Sequence, residues 1–381
     1  MTSQEEQSSS TNVYMNKYGV LIMTIFLTVL AMSCKKEQVQ TQEDIHIEYT
    51  DRYIIFDPGI TTRGALNQNL YLDADFNVLG YQYPGAWEYS YSTLLPNVFD
   101  LVPQTVTYNA EGYYSYGLPK KWTGNTYSFF GYYPINSDNI KLFDDGETQK
   151  RGVPYITYSL PQSNDPRDLI DIMTGKYIDT GIYVSTDNTV RLEMRHRLSG
   201  IELTATNKFK SDHDSNPSTP EVDVTLEITD LTVTLSDIYT SAKIYMDNMT
   251  PTSGSSSGER SYKIVGDDNW GKKVVELLPN NDQNASPTDI TTRAAGKETT
   301  LLLIPQTSKL RGAIDLSYRK KYQGEYLGGV VTEQKDIVFD VSLVEGTIYN
   351  LELYFTSEAV SVRVNNTYNW DLDKKVYHEF E

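Results

Sequence analysis

Residues 345–364, EGTIYNLELYFTSEAVSVRV, decide the fold. Tyr349, Leu351, Leu353 and Phe355 recur at every second position, and so do Val360, Val362 and Val364. A period of two gathers these side chains on one face of an extended chain, whereas a helix would scatter them around its circumference. Glu345-Gly346-Thr347 and Ser357-Glu358 are turn-sized breaks. Ile337, Phe339, Val341 and Leu343 alternate in the same way just upstream, so the C-terminal end is expected to be an antiparallel meander.

The same signal extends backwards. Val222, Val224, Leu226 and Ile228 share one face, and the parity then moves to Leu231, Val233 and Leu235. Such a shift predicts a bulge or strand switch near Asp230. In the first half the strand candidates are aromatic: Gly112 to Tyr116, and YSFFGYY from Tyr127 to Tyr133. Only DPRDLIDIM, Asp165 to Met173, suits a short helix, with Asp165 as N-cap and Pro166 at the first position. The polar stretches Ser211 to Pro220, Asn248 to Glu259 and Asn280 to Lys297 predict hairpin loops or crossings. A seam at Thr186 to Thr189 (TDNT) separates the aromatic half from the aliphatic half, and the domain boundary is expected there.

Composition agrees with a packed all-β protein. Hydrophobic residues make up 39% of 381, enough for a core. The chain holds 30 Tyr against 11 Phe and 4 Trp, and Tyr suits half-buried strand positions where the ring packs and the hydroxyl stays wet. A net charge of −18, with no basic run longer than Arg319-Lys320-Lys321, argues against nucleic-acid partners.

Cys34 is the single cysteine. It follows a 13-residue apolar run, YGVLIMTIFLTVL (Tyr18 to Leu30), and then Ala31-Met32-Ser33. That run is short of the ~20 residues a bilayer span needs and fits a signal-peptide core. The segment resembles a lipoprotein signal, in which the cysteine after the cleavage point receives lipid. Leu30 stands one place further back than that pattern has its leucine. Met1 to Tyr14 is acidic and polar, so Met15 is the better start for such a signal. Residues 34–43 read as a polar tether, with folded structure expected from Asp44.

Chemistry-bearing patterns are sparse, and no enzyme is expected. His46 and His378 lie near the ends, and His213 lies in a polar loop. His196 continues the apolar face of Val190, Leu192, Met194 and Leu198, as a satisfied core or interface histidine would. No G-x-S-x-G or H-E-x-x-H motif occurs, and no Gly-rich phosphate loop follows a strand. Asp144-Asp145 and the Asp371, Asp373 pair read as solvated turns rather than carboxyls facing across a cleft. Asp212-His213-Asp214 and Asn280 to Asn284 do not have a calcium-loop spacing, and no cofactor or metal is expected. Tyr81, Tyr83, Trp87, Tyr89 and Tyr91 cluster around Pro84-Gly85. Two explanations stand for them. Tyr83, Trp87 and Tyr89 are candidate glycan contacts by stacking, or the cluster is a Tyr-rich β-surface packed on itself or on a partner subunit.

Several stretches in order resemble fimbrillin-type pilus subunits of Bacteroides-like bacteria. In the first half these are IIFDPGITTRG (Ile54 to Gly64), Leu79-Gly80, Tyr108 to Tyr116 and LPKKWTGNTYSFFGYYP (Leu118 to Pro134). In the second half they are RLEMRHRLSGIE (Arg191 to Glu202), LLLIPQ (Leu301 to Gln306) and Glu345 to Trp370. The resemblance implies two transthyretin-like β-sandwich domains in tandem, 44–188 and 189–381, after a leader and lipoprotein signal peptide, 1–33. It implies a lipoprotein precursor exported to the outer membrane through Cys34. For polymerising members it also implies a trypsin-like cut after an arginine, which removes the first strand so that a strand of the next subunit takes its place. Here Arg63-Gly64 is the candidate cut. The implied function is a stalk, tip or anchor subunit of a surface fimbrium contributing to adhesion. Its partners are other fimbrial subunits, with a host or bacterial surface receptor as a further partner. The alternative is a monomeric surface lipoprotein that binds glycans.

Overall fold

The computed structural model describes residues 53–57, 74–84, 95–109, 113–123, 125–143, 153–178, 189–214, 216, 218–247, 252–266, 274–280, 286–291, 300–339, 342–369 and 375–376. In chain order the first strands are β1 (Ile55–Asp57), β2 (Phe76–Tyr83), β3 (Gln104–Tyr108), β4 (Tyr114–Tyr116), β5 (Thr126–Tyr133), β6 (Ile140–Leu142), β7 (Tyr155–Ser159) and β8 (Met173–Ile178). They are followed by β9 (Thr189–Arg191), β10 (Arg195–His196), β11 (Ser199–Lys208), β12 (Lys210–Ser211), β13 (Val222–Asp223), β14 (Thr225–Tyr245), β15 (Ser253–Val265) and β16 (Val275–Leu277). The last are β17 (Thr288–Asp289), β18 (Leu301–Leu303), β19 (Leu310–Tyr322), β20 (Glu325–Phe339), β21 (Thr347–Thr356), β22 (Val360–Asn369) and β23 (Lys375–Val376).

Three sheets carry most of the structure, and the all-β expectation is met. The first is antiparallel throughout, in the order β10-β8-β5-β2-β3-β4. The second runs β20-β19-β14-β7-β6, with β15 and β16 also on β14. The third runs β17-β11-β21-β22-β23, with β18 on β11. Leu226, Ile228 and Leu316 of the second sheet share one buried cluster with Leu203, Leu351 and Leu353 of the third. The Tyr318 and Phe355 rings meet edge-on at 5.5 Å across it. The inner side chains of β2 and β5, Leu79, Tyr81, Phe130 and Tyr132, belong to that same cluster.

The predicted bulge is present: the register of β14 against β19 shifts between Ile228 and Asp230. It lets Leu226, Ile228, Leu231 and Leu235 all be buried despite their change of parity. Three expectations need correction. Ile337 to Leu343 does not join β21 and β22 in a meander. β20 pairs with β19 in the second sheet, while β21 lies between antiparallel β22 and parallel β11. Alternation marks a strand and its buried face without naming its neighbour. The Ser/Gly stretch from Ser253 to Gly258 is not loop but strand, paired through Ser257, Ser255 and Ser253 with Tyr239, Ser241 and Lys243. A main-chain ladder needs no apolar side chains where the face is wet. The helix at Asp165 shrinks to one 3-10 turn, Pro166–Asp168, with the Asp165 side chain accepting from the Arg167 N–H.

The boundary expected at 188/189 does not follow the sheets. β6 and β7 precede it yet lie in the second sheet, where β7 pairs with β14. β10 follows it yet completes the first sheet against β8. Strand pairing therefore crosses that seam in both directions.

A candidate strand-exchange site

The outer face of the first sheet is covered by a two-stranded parallel ribbon, β1 on β9, with Ile55 opposite Thr189, Phe56 opposite Val190 and Asp57 opposite Arg191. Tyr53 and Ile55 point outward and are half exposed, while Ile54 and Phe56 are buried. The alternation Tyr-Ile-Ile-Phe therefore plugs two side chains into the sheet below.

Phe56 enters a socket of four rings. Its centroid lies 5.4 Å from Phe129, 5.5 Å from Tyr116, 6.1 Å from Phe99 and 6.3 Å from Phe76. Phe129 stacks on Tyr127, which packs edge-on against the buried Trp122. Burying a Phe or Ile side chain stabilises by roughly 1.5–3 kcal/mol, and well-set aromatic pairs add about 0.5–1.5 kcal/mol beyond area. The plug is therefore the main attachment of β1.

Its main-chain attachment is thinner. The Ile54 N–H donates to the Lys120 carbonyl at 2.9 Å, and the Leu192 N–H donates to the Asp57 carbonyl at 3.1 Å. The Tyr116 hydroxyl donates to the Ile54 carbonyl at 2.9 Å and accepts from the Lys120 N–H at 3.2 Å. Burial raises the Tyr116 hydroxyl above the ordinary tyrosine range, so it stays protonated and able to donate. Tyr53 forms a single bridge with Lys121, and the Lys121 ammonium lies 5.7 Å from the Tyr53 ring. Asp57 and Arg191 approach to 3.8 Å with both side chains at least half exposed, an ion pair worth little in water.

The other strand of the ribbon is seated more firmly. Gly131 of β5 and Gly175 of β8 stand opposite one another. A Cβ on Gly175 would come within 2.3 Å of the Leu192 carbonyl oxygen, and one on Gly131 within 2.8 Å of the Leu192 side chain. Two glycines thus make a trough in which the chain after β9 lies directly on the sheet. Val190, Leu192 and Met194 are all buried there. The chain around β9 is thus bedded on the sheet along its length, whereas β1 reaches it chiefly through Ile54 and Phe56.

The residues singled out in sequence fall as follows. Cys34, Arg63, Gly64, Trp87 and Tyr89 lie outside the described residues. Tyr83 is corrected as a glycan contact: it is 4% exposed and its hydroxyl bonds Ser128 Oγ at 2.7 Å, so its ring presents no free face to a sugar. Tyr81 is buried as well, edge-on to Phe130. His196 is the satisfied core histidine expected, buried with Nδ1 2.9 Å from an Asp171 oxygen. His213 meets Asp214 at 3.9 Å, and among the described residues no group of three His, Cys, Asp or Glu is arranged to hold a metal. Sequence reasoning missed Phe99 and Tyr116, which build the socket from a loop and an edge strand. It also missed Arg197, a buried cation that ion-pairs with Glu345 and donates to Thr174 Oγ1 (2.9 Å) and the Tyr245 carbonyl (2.8 Å). Arg197 thereby touches all three sheets or their approaches.

A fimbrillin-like family model matches residues 97–370. The chain belongs to the fimbrillin-like family. Fimbrium subunit Fim1C of Phocaeicola vulgatus is 26% identical over 375 residues, spanning 91% of this chain and 90% of that one. The crystal structure of a fimbrial protein from Bacteroides vulgatus covers 84% of this chain and 100% of its own, with a TM-score of 0.60 and 21% identity. That likeness supports the fold. Within this fimbrillin-like chain, β1 and β2 precede the span matched by the family model.

Proposed function

We propose that this chain is a structural subunit of a cell-surface fimbrium that assembles by strand exchange and contributes to adhesion. The observation that carries the proposal is the contrast within the β1–β9 ribbon: a three-residue strand held chiefly by Phe56 and Ile54, beside a strand bedded on glycines. A precursor lipidated at Cys34 reaches the outer membrane. A trypsin-like cut after Arg63, six residues beyond the end of β1, separates β1 from the rest of the chain. Loss of β1 leaves an aromatic socket open to water and the Leu192 N–H and Lys120 carbonyl without their partners, a costly state. An extended segment of a neighbouring subunit, carrying apolar side chains two positions apart, restores both by β-augmentation.

The test is the N-terminus and the size of protein taken from the cell surface. The expected result is a mature chain starting at Gly64 that runs as a ladder of multimers under mild denaturation. Arg63→Ala is expected to keep the longer N-terminus and to collapse the ladder to monomer. A ladder that persists in Arg63→Ala with β1 still attached would overturn the proposal.

A further inference from the structure

The second sheet ends on β20. Among the described residues β20 pairs with β19 on one side and with no strand on the other. β22 of the facing sheet pairs with β21 and β23 instead. An unpaired edge of this length exposes a row of N–H and C=O groups, and natural proteins normally blunt it. Its side chains alternate cleanly. Val330, Thr332, Gln334, Asp336 and Val338 are exposed, the two valines at 49% and 66%. Val331, Glu333 and Lys335 are half-buried, and Ile337 is buried.

Residues 330–338, VVTEQKDIV, are self-complementary when reversed about Gln334. In that register Glu333 of each copy stands opposite Lys335 of the other, twice over. Val331 meets Ile337, Val330 meets Val338, and Thr332 meets Asp336. Moving the centre one residue either way sets Glu333 against Glu333 or Lys335 against Lys335. Both charges already sit on one face, with Glu333 and Lys335 2.8 Å apart and Glu333 accepting from the Tyr318 hydroxyl. Inward-facing charges on an edge usually repel another strand. Here an identical, antiparallel edge centred on Gln334 sets an opposite charge across from each of the two, in addition to the pair they already form within the strand.

We propose that β20 is a homotypic docking edge: two copies of this chain pair their β20 strands antiparallel about a two-fold axis at Gln334, joining their second sheets into one. The contact is independent of whether β1 is released. One strand pair is small beside the ~1,000 Å² of a stable interface, so free chains associate weakly. Subunits repeated along a fibre would multiply the contact, which makes it a lateral one between fibres.

Disulfide trapping reads the register directly. Opposed antiparallel residues have Cα atoms about 4.5–5.5 Å apart, inside the roughly 4.4–6.8 Å a disulfide spans. In the full chain with Cys34→Ser, Gln334→Cys is expected to give a cross-linked species of two copies under mild oxidation. Thr332→Cys alone is expected to give none, because its counterpart lies four residues along, about 13 Å away. Thr332→Cys with Asp336→Cys is expected to restore the cross-link. Adding Glu333→Lys to Gln334→Cys is expected to cut the cross-link about tenfold, as two opposite-charge pairs become like-charge pairs. Adding Lys335→Glu as well is expected to bring it back. Circular dichroism confirms that each variant is folded. Equal trapping at positions 332 and 334, no trapping at 334 in folded protein, capture of a different protein instead, or failure of the double charge swap to rescue would each overturn the proposal.

Discussion

The ribbon over the first sheet and the sandwich built on β14 and β21 solve the same burial problem in opposite ways. β1 contributes three residues, one parallel neighbour and one buried side chain, Phe56, with Ile54 buried just ahead of it. β21 contributes ten residues, a nine-pair parallel ladder from Gly200 to Lys208 on β11, and an antiparallel ladder on β22. The rings around Phe56 make a deep, local anchor, whereas the Leu, Ile and Val side chains of the sandwich spread burial along whole strands. On the strand exchange proposed above, a point anchor is what would be vacated and refilled. A strand laddered on both edges leaves only if the domain unfolds. The two regions therefore differ in how burial is distributed along a strand as well as in how much is buried.

The hardest test of that contrast compares Phe56→Ala with Leu353→Ala. Both truncations cost several kcal/mol, about 3–5 for Phe→Ala and 2–5 for Leu→Ala. The expected difference is in reach. Phe56→Ala should raise amide exchange in β1 and β9 while β21 stays protected, and Leu353→Ala should lower the urea midpoint of the whole chain. Equal loss of protection in β21 from both variants would break the comparison. Arg197→Leu comes next, at about 3 kcal/mol, the lower end for stranding a buried partner, since Glu345 is 28% exposed and keeps its bond from Thr252 Oγ1. Because Arg197 reaches Thr174 of the first sheet and Tyr245 of the second, its loss is expected to split one thermal transition into two.

Much of this architecture was legible in the sequence, and the failures share a cause. The alternations of Tyr349 to Phe355 and of Val222 to Leu235 gave strands, buried faces and even the Ile228–Asp230 bulge, because a period of two is a local property. Strand partners are not local. Nothing in Ile337 to Leu343 says that β20 crosses to the other sheet, and nothing in Gly200 to Lys208 says that its neighbour is parallel. The aromatic stretch around Tyr81 and Tyr83 was legible as either a packing surface or a sugar-stacking face, and only burial, which is not local, decides for packing at those two rings. The socket itself escaped notice because Phe99, Tyr116 and Phe129 come from separate segments and meet only after the sheet forms.

Tyr116→Phe sharpens the comparison at smaller scale. It deletes the hydroxyl that bridges the Ile54 carbonyl and the Lys120 N–H while keeping the ring against Phe56. A cost of about 1–2 kcal/mol is expected for leaving those two groups short of a partner. Amide exchange at Ile54 and Lys120 should rise, with the aromatic socket kept and the overall midpoint lowered only by that small amount.

The smallest expected effect lies at the far end of the sandwich, in Glu227. One of its carboxylate oxygens accepts from Lys321 Nζ and the other from the Tyr326 hydroxyl at 3.1 Å. The Lys321 hydrogen bond is the chief reason its carboxyl is held below the ordinary glutamate range, with Tyr326 assisting. The same bond raises the Lys321 ammonium. A lowered carboxyl stabilises the fold fully above its unfolded value of about 4.3 and ceases to do so as pH falls through the folded value. A raised ammonium contributes below its unfolded value and loses that contribution only in strong alkali. The wild-type urea midpoint should therefore exceed that of Glu227→Gln by a constant, small margin from pH 6 to 9. The margin should shrink below about pH 4.3 as the carboxyl takes up its proton. Exchange in β1 and β9 should be the same in both proteins at every pH. A pH-dependent change there would mean that the ribbon and the sandwich are energetically joined, and that the anchor at Phe56 is not a local device.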